Sequence, residues 1–224
     1  MAEEATREAI LGAAMAHVPF DGWSEMTLKA AAADSGQPLA LARALFPRGG
    51  LDLALTYHRA GDRAMIRALA DQDLGALRFR ERVALAVRLR LEAADSEAVR
   101  RGSALFALPQ NSAAGAKAIW GTADAIWTAL GDTSDDINWY SKRATLSAVY
   151  GATVLFWLGD ESSDHHATWD FLDRRIEGVM QFEKAKAAFA KNPLGKALLN
   201  GPLKVLERIH APKIADDLPG RCQD

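Results

Sequence analysis

Residues 27–36 read TLKAAAADSG, and residues 37–48 continue as QPLALARALFPR. The first segment is rich in alanine and suits a short helix, for which Thr27 is a plausible N-cap. Gly36 suits the position just after a helix end, and Pro38 suits the first turn of the next helix. Phe46 and Pro47 then end the second helix. Two short helices at this spacing predict a helix-turn-helix unit.

The second predicted helix carries little that could recognise DNA. Such helices read base edges and phosphates with polar and basic side chains. Here Arg43 is the only charged residue between Leu39 and Leu45. From Phe20 to Asp52 there are three basic and four acidic residues, so the local net charge is −1. The pattern favours a helix-turn-helix scaffold without DNA-reading chemistry.

The composition of the chain is that of a globular protein in a reducing compartment. The 224 residues are 49% hydrophobic and 25% charged, and they include one cysteine, Cys222. A single cysteine excludes an internal disulfide framework. The N-terminal residues do not read as a signal or transit peptide. Because the longest uncharged stretch, residues 144–159, is too short to cross a bilayer, we expect no membrane-spanning helix.

No catalytic or cofactor-binding motif stands out. The chain lacks a P-loop, a dinucleotide-binding glycine fingerprint, an HExxH zinc motif and a Gly-x-Ser-x-Gly nucleophile motif. His165 and His166 are adjacent, so they diverge by about 100° on a helix and cannot share one face. The acidic stretch from Asp132 to Asp136 lacks the spacing of a calcium loop, and a solvated turn is expected there. We therefore expect no enzyme activity, no cofactor and no metal.

Hydrophobic periodicity predicts an all-α fold. No segment alternates strictly, and the helices are predicted at about residues 3–17, 51–71, 79–94, 96–108, 112–130, 139–158 and 165–191. The helix over 139–158 is apolar almost all round beyond Arg143 and should be the most buried. We divide the chain into a helix-turn-helix-like module at 1–50, a helical body at 51–191 and a basic amphipathic tail at 192–224.

The predicted body carries large apolar side chains at helical spacing. The candidate lipid-binding set is Val87, Leu91, Phe106, Trp120, Trp127, Tyr150, Phe156, Trp157 and Phe171. Aromatic side chains in such positions more often fill a core than surround a ligand. Six tryptophans in one helical domain still permit a cavity of lipid size. The sequence therefore leaves open a packed core and a lipid-binding cavity.

The C-terminal tail is basic, whereas the whole chain has a net charge of −2. Between residues 184 and 213 there are seven basic residues and one acidic residue. The candidate membrane-binding residues are Lys196, Leu198, Leu199, Leu203, Lys204, Leu206 and Arg208. A basic amphipathic helix suits an anionic membrane surface or a partner protein. Packing of the tail on its own domain is the alternative, although the break at Asn192 and Pro193 favours an appendage.

Two motifs resemble those of the ninth coenzyme Q (ubiquinone) biosynthesis protein family. They are NWYSKRATLSAVY at residues 138–150 and TWDFLDRRI at residues 168–176. Near the N-terminus, Val18-Pro19 and Gly22-Trp23 also resemble the sequences of this family. The likeness covers about residues 5–182. The helix-turn-helix region is similar to the N-terminal module of TetR-type repressors. The resemblance implies a TetR-repressor-like helical bundle with an N-terminal helix-turn-helix and a C-terminal amphipathic helix.

The same resemblance implies a non-catalytic function. Members of the family bind isoprenoid quinone intermediates in a hydrophobic pocket and attach to membranes through the terminal helix. They assist the demethoxyubiquinone hydroxylase, a di-iron enzyme, at the membrane surface. The tryptophan of the Thr-Trp-x-Phe-Leu motif, Trp169, implies a partner-binding patch to which we add Leu172 and Asp173. The segment 156–160 departs from the pattern expected beside that patch.

The resemblance also bears on location and assembly. It implies a cytoplasmic protein peripheral to the inner membrane of a bacterium, or a mature fragment on the matrix side of a mitochondrion. TetR-like chains pair through their last two body helices, so we expect a homodimer formed by residues 139–158 and 168–180. The alternative function is that of a TetR-family transcription regulator that senses a small apolar ligand. We expect no nucleic-acid binding, because phosphate contacts need several cations.

Overall fold

The computed structural model describes the backbone of residues 2–191 and 211–212, with the side chains of residues 3–181 and 211–212. Within these residues the secondary structure is helical and contains no β-strand, so the predicted all-α fold is confirmed. The tail at 192–224 falls almost wholly outside them. Its candidate membrane-binding residues, Lys196, Leu198, Leu199, Leu203, Lys204, Leu206 and Arg208, lie outside the described residues.

The described chain forms ten α-helices. They are α1 (Ala2–Ala14), α2 (Val18–Asp21), α3 (Glu25–Asp34), α4 (Leu39–Leu45), α5 (Gly50–Ala70), α6 (Phe79–Glu92), α7 (Ser96–Ala107), α8 (Ser112–Ala129), α9 (Ile137–Trp157) and α10 (His166–Lys191). The predicted long helices agree with these bounds to within a few residues. Among the described helices, none is long and apolar enough to cross a bilayer.

The helix-turn-helix consists of α3 and α4, which are joined through Gly36. This glycine has a φ of +66°, a conformation that glycine adopts without strain. The residue that caps α3 is Ser24, whose Oγ accepts a 3.1 Å hydrogen bond from the Thr27 amide. The predicted cap at Thr27 is therefore wrong. The Thr27 hydroxyl instead donates to the Gly22 carbonyl at 2.6 Å, because it already lies inside the first turn.

Two hydrophobic cores are joined by α5. The first lies under α1, α3 and α4 and includes the fully buried Ile10, Phe46 and Leu53. The second lies among α6, α8, α9 and α10 and includes Met65 and Ile126. Because Leu53 and Met65 both belong to α5, this helix connects the N-terminal module to the body through continuous packing rather than through a linker.

The long helix α9 is buried along one face only. Leu146 and Val149 pack in the second core, but Leu155 is 68% exposed and Phe156 is 38% exposed. The expectation that this helix is the most buried is not confirmed, because α5 contains as many buried residues within the described chain. The physical reason is that apolar composition does not distinguish a core face from a surface that another molecule covers.

The acidic turn after α8 is partly buried. The carboxylate of Asp132 is 3% exposed and accepts hydrogen bonds from Lys142 at 2.7 Å and from Arg143 at 3.0 Å. A solvated turn is therefore wrong for Asp132, although the neighbouring Asp135 is exposed. The two cations come from α9, so the turn sequence by itself does not contain the reason for the burial.

Candidate functional site

A cavity of about 390 Å³ lies among α5, α6, α7, α8 and α9. Its volume falls within the range of about 300–1,000 Å³ that is typical of small-molecule sites. Most of the lining is apolar and includes Trp23, Val99, Phe106, Ile119, Val154 and Leu155. A cavity with such walls suits an apolar ligand.

The cavity has an open side and a closed end. Ser112, Ala116 and Leu155 line it and are exposed, so it reaches the surface between α8 and α9. Arg90 and Tyr150 line it as well but are only 2% and 3% exposed. An elongated ligand can therefore lie with one end buried and the other at the protein surface.

Small residues bring the surrounding helices close together. A Cβ atom at Gly115 would lie 2.7 Å from the Cβ of Phe106, so α8 approaches that residue closely only because Gly115 has no side chain. On the other side Trp23 donates from Nε1 to the Ala98 carbonyl at 2.9 Å. The Trp23 ring also packs against Tyr57, with centroids 5.3 Å apart. These contacts hold the aromatic walls in place without filling the cavity.

A buried hydrogen-bond network forms the closed end. Arg90 donates from Nε to Asp62 at 2.8 Å and from Nη2 to the His58 carbonyl at 2.9 Å. The Thr122 hydroxyl donates to the same Asp62 oxygen at 2.8 Å. His58 Nε2 lies 2.8 Å from the Thr122 hydroxyl and 3.1 Å from the Ala118 carbonyl. The network thus joins α5, α6 and α8.

Burial sets the protonation of the groups at this end. Desolvation lowers the pKa of His58 below its usual value of 6.5, so the imidazole is neutral at pH 7. Desolvation raises the pKa of Tyr150 and of Tyr57 above the usual 10.0, so both remain neutral phenols. Arg90 and Asp62 form an ion pair whose charges cancel. The closed end therefore carries polar groups but no net charge.

Five of the nine candidate lipid-binding residues lie in the cavity or in the core. Phe106 and Tyr150 line the cavity. Val87, Leu91 and Trp157 are buried in the second core, where they pack against other side chains. Helical periodicity identified these residues as inward-facing, but it did not separate cavity walls from packed core.

The other four candidates lie elsewhere. Trp127 lines a separate cavity of about 210 Å³. Trp120 belongs to a half-buried aromatic cluster, with its ring 6.0 Å from that of Trp139. Phe156 and Phe171 stack on each other at 4.5 Å on the outer side of α9 and α10. The structure does not bring these four residues together with Phe106 and Tyr150.

Sequence reasoning missed His58, Asp62 and Arg90. A signal was present, because His58 and Asp62 are four residues apart and share one face of α5. Arg90 follows Val83 and Val87 by seven and three residues, so it lies on the apolar stripe of α6. Since charged residues are rarely buried unless they are paired, an arginine on such a stripe indicates a buried polar partner.

Trp169 lies at the surface beside the loop that precedes α10. Its Nε1 donates to the Asp164 carbonyl at 2.9 Å, and the Arg88 guanidinium lies 5.0 Å from its ring centroid. Asp173, which we grouped with it, is exposed. Leu172 is only 2% exposed and packs in the second core beneath this surface.

The loop before α10 is held by Asp160. Its carboxylate accepts hydrogen bonds from the Ser162 amide at 2.8 Å and from the amide and hydroxyl of Thr168 at 2.9 and 2.5 Å. The bonds from Ser162 and Thr168 hold the pKa of Asp160 well below its usual value. Asp164 and His165 in this loop have φ values of +50° and +54°, which non-glycine residues seldom adopt. The carbonyl that accepts the hydrogen bond from Trp169 belongs to Asp164 in this loop.

Known proteins resemble the chain over most of its length. The family model COQ9 matches residues 112–183, which span α8, α9 and most of α10. The ubiquinone biosynthesis protein COQ9-B of Xenopus laevis is 30% identical over 208 residues, which cover 89% of this chain and 70% of that protein. The chain belongs to the COQ9 family. This confirms the family resemblance of the two sequence motifs.

Other COQ9 relatives are longer than this chain. The mitochondrial COQ9 proteins of Homo sapiens and Xenopus tropicalis are 30% and 31% identical, each across 89% of this chain. The matches cover 64% and 65% of those proteins, so the chain spans somewhat less than two thirds of their length.

A solved structure matches the fold of this COQ9 family member. A TetR transcriptional regulator from Nitrosomonas europaea superposes with a TM-score of 0.63 at 20% identity, covering 77% of this chain and 97% of that one. At this identity the likeness establishes the fold alone. It confirms the predicted TetR-like helical bundle.

Proposed function

We propose that this protein is a non-catalytic, lipid-binding accessory protein of ubiquinone biosynthesis. It binds isoprenoid quinone intermediates and assists the demethoxyubiquinone hydroxylase at the membrane surface. The observation that carries the proposal is the apolar cavity of about 390 Å³ among α5–α9. Membership of a family whose relatives are named ubiquinone biosynthesis proteins supports it.

The shape of the cavity suits a long apolar ligand. Its volume lies near the lower limit of small-molecule sites, so it holds one end of a polyisoprenoid lipid. The remainder of the isoprenoid tail extends through the open side of the cavity, beside Ala116 and Leu155. Burial of apolar surface, worth about 25 cal/mol per Å², provides the main driving force.

A cavity-filling variant tests the proposal. Gly151 lines the cavity, and a Cβ atom there would lie 3.8 Å from Ile119 Cδ1, an ordinary contact. Gly151→Leu should therefore fold and place its side chain in the space of the ligand. Titration with decylubiquinone, followed through tryptophan fluorescence, should show binding at least about tenfold weaker than in the wild type. Mass spectrometry of lipids extracted from the purified wild type should identify an isoprenoid quinone.

The matched control is Gly12→Leu. Gly12 lies on the exposed side of α1, where a Cβ atom would meet nothing within 4 Å. This variant should bind decylubiquinone with the affinity of the wild type. Equal affinities for all three proteins, or the absence of any quinone or isoprenoid from the extract, would contradict the proposed function.

The surface around Trp169 is the proposed contact with the hydroxylase. Interface energy concentrates in tryptophan, tyrosine and arginine side chains, and Trp169 is half-buried beside the guanidinium of Arg88. The exposed Asp173 adds a charge that a cationic partner group can pair with. In this proposal the hydroxylase contacts the start of α10.

Dimerisation and membrane attachment complete the proposal. The outer sides of α9 and α10 expose Leu155 and the stacked pair Phe156 and Phe171, which a second copy of the chain can cover. The basic residues between 184 and 213 supply attraction to an anionic membrane, at about 1 kcal/mol each near the surface. The protein is then peripheral to the membrane.

DNA binding is the alternative function, and the contacts of α4 argue against it. Its only charged residue, Arg43, forms an ion pair with Glu25 at 2.7 Å, and Ala40, Leu41 and Ala44 form its exposed side. None of these apolar side chains can hydrogen-bond to a base. A gel-shift assay with the DNA upstream of the protein's own gene at low salt should show no complex, and a sequence-specific complex would favour a regulator.

A further inference from the structure

A second space, larger and more polar than the apolar cavity, lies between α5 and α8. It is a groove of about 1110 Å³ that also borders the start of α3 and opens to solvent. Trp23, His58 and Ala118 border both spaces, but Arg59 and Lys117 border the groove alone. We propose that this groove binds a phosphate-bearing anion through Arg59 and Lys117. The site is distinct from the lipid cavity and does not depend on the proposed lipid-binding function.

The acidic side chains that line the groove are already paired. They belong to Glu25 and Asp62. Glu25 forms an ion pair with Arg43 at 2.7 Å, and Asp62 forms one with Arg90 at 2.8 Å. Each carboxylate therefore has its own cation, and neither compensates the remaining positive charges of the groove.

Two of the basic side chains that line the groove have no counter-ion. Arg48 is paired with Asp52 at 2.6 Å. Arg59 donates a 3.1 Å hydrogen bond to the Thr56 hydroxyl but forms no ion pair within the described part of the chain. Lys117 forms neither an ion pair nor a hydrogen bond with the residues that the structure describes. The groove thus presents two uncompensated positive charges in a protein whose net charge is −2.

The contact between α5 and α8 places these two cations at the same level of the groove. His58 Nε2 on α5 lies 3.1 Å from the Ala118 carbonyl on α8. Arg59 and Lys117 are the neighbours of these two residues in the chain, and both are exposed. Because both side chains are long, they can contact one anion together. A cleft lined by charges of one sign also raises the local concentration of ions of the opposite sign.

A phosphate group matches this pair of cations better than a carboxylate does. A guanidinium donates two parallel hydrogen bonds to phosphate oxygens, and a lysine ammonium adds a point charge. A phosphate monoester carries about 1.5 to 2 negative charges at pH 7, so one group compensates both cations. On α8 the wall of the groove consists largely of Ala113, Ala114 and Gly121, whose small size leaves space for the molecule that carries the phosphate.

The test titrates the full chain with two phosphate probes. Pyrophosphate represents a soluble ligand, dioctanoyl phosphatidate represents a lipid headgroup, and the phosphorus NMR linewidth of each probe reports its binding. Arg59→Gln and Lys117→Gln should each weaken binding by about two- to fivefold, and the double variant should weaken it by about tenfold. Added salt should weaken binding to the wild type. Circular dichroism checks the fold, which should be intact because both side chains are exposed.

The two probes distinguish the source of the phosphate. Tighter binding of pyrophosphate identifies a soluble phosphorylated compound, and tighter binding of phosphatidate identifies a lipid headgroup. Either result supports the site when the double variant weakens the tighter probe by the expected factor.

The matched control is the double variant Lys29→Gln, Arg67→Gln. Lys29 on α3 and Arg67 on α5 are exposed and lie outside the groove lining, and neither forms an ion pair among the described residues. This variant removes the same two kinds of side chain and the same net charge, and it should bind both probes like the wild type. The basic residues between 184 and 213 are present in every protein, so binding to them does not distinguish the two double variants.

Three outcomes would overturn the inference. They are an equal loss of binding in the control and the groove variant, unchanged binding in the groove variant, and no binding of either probe to the wild type. All three leave the proposed lipid binding in place, since Arg59 and Lys117 do not line the apolar cavity. The groove variant should accordingly bind decylubiquinone with the affinity of the wild type.

Discussion

A Cβ atom added at Gly61 would lie 2.5 Å from the guanidinium carbon of Arg90. The absence of a side chain at this position lets α5 approach α6 closely enough for Arg90 to reach both Asp62 and the His58 carbonyl. Arg90 cannot move aside cheaply, because its side chain is only 3% exposed and would lose those hydrogen bonds. Gly61 is therefore a structural requirement of the closed end of the cavity.

Gly61→Ala should destabilise the protein. Alanine favours a helix by about 1 kcal/mol over glycine, but displacement of the buried Arg90 costs more, so we expect a net loss of about 1–3 kcal/mol. Urea unfolding measures the change. Gly121→Ala is the control, since Gly121 is exposed on α8 with nothing within 4 Å, and it should be neutral or stabilising. A Gly61→Ala protein as stable as that control would refute the argument.

Asp132 should make stability depend on acid pH. Burial alone would raise the pKa of its carboxyl, but hydrogen bonds from Lys142, Ser134 and Arg143 lower it from 3.8 to about 2. A pKa lowered by folding contributes stability above the unfolded value and loses it as pH falls through the folded value. The free energy of unfolding should thus drop by about 1–2 kcal/mol between about pH 4 and pH 2, since Lys142 is partly solvated.

Urea unfolding of Asp132→Asn from pH 6 down to about pH 2 checks this dependence. The variant should be less stable than the wild type at pH 6, and the difference should shrink below about pH 4. Asp135→Asn is the control, because Asp135 is exposed, and its curve should run parallel to that of the wild type. A constant difference between Asp132→Asn and the wild type at every pH would contradict the expected titration.

Trp169 and Asp173 should govern binding to the hydroxylase. Trp169→Ala removes an aromatic side chain of the kind that dominates interface energies, so it should weaken the complex at least about tenfold. Asp173→Lys reverses a charge at the interface, so it should weaken the complex in a salt-dependent way. Affinity is measured with the hydroxylase of the same organism immobilised on a sensor. Asp71→Lys, an exposed charge reversal at the end of α5, should have no effect. Unchanged affinity in both variants would remove this surface from the proposal.

Phe156 should support the homodimer. A glutamate there would place a charge on the apolar outer side of α9, so Phe156→Glu should shift the proposed dimer of 24.2 kDa chains to monomers in light scattering at micromolar concentration. Phe20→Glu is the matched control, since Phe20 is 84% exposed on α2, and it should leave the dimer intact. A wild type that is monomeric throughout would show that α9 does not form the interface.

Local sequence signals located the helices and identified part of the candidate cavity lining. The bounds of α5–α10 followed from periodicity, and Gly36 marked the turn between α3 and α4, because caps, glycine conformation and i, i+4 spacing act within a few residues. Phe106 and Tyr150 were found because they face inward at helical spacing. The polar end was not found, since Arg90, Asp62 and Thr122 come from three different helices.

By itself, the sequence determined an all-α chain with a helix-turn-helix whose second helix lacks DNA-reading side chains. These are properties of short segments, and short-range physics is sufficient to specify them. Tertiary packing alone decided that Val87 and Leu91 fill a core while Phe106 and Tyr150 border a cavity. It also decided that Asp132 is buried against Lys142, because the packing of α9 against α8 brings the two side chains together. Whether an inward-facing residue meets a neighbour or empty space depends on how whole helices pack.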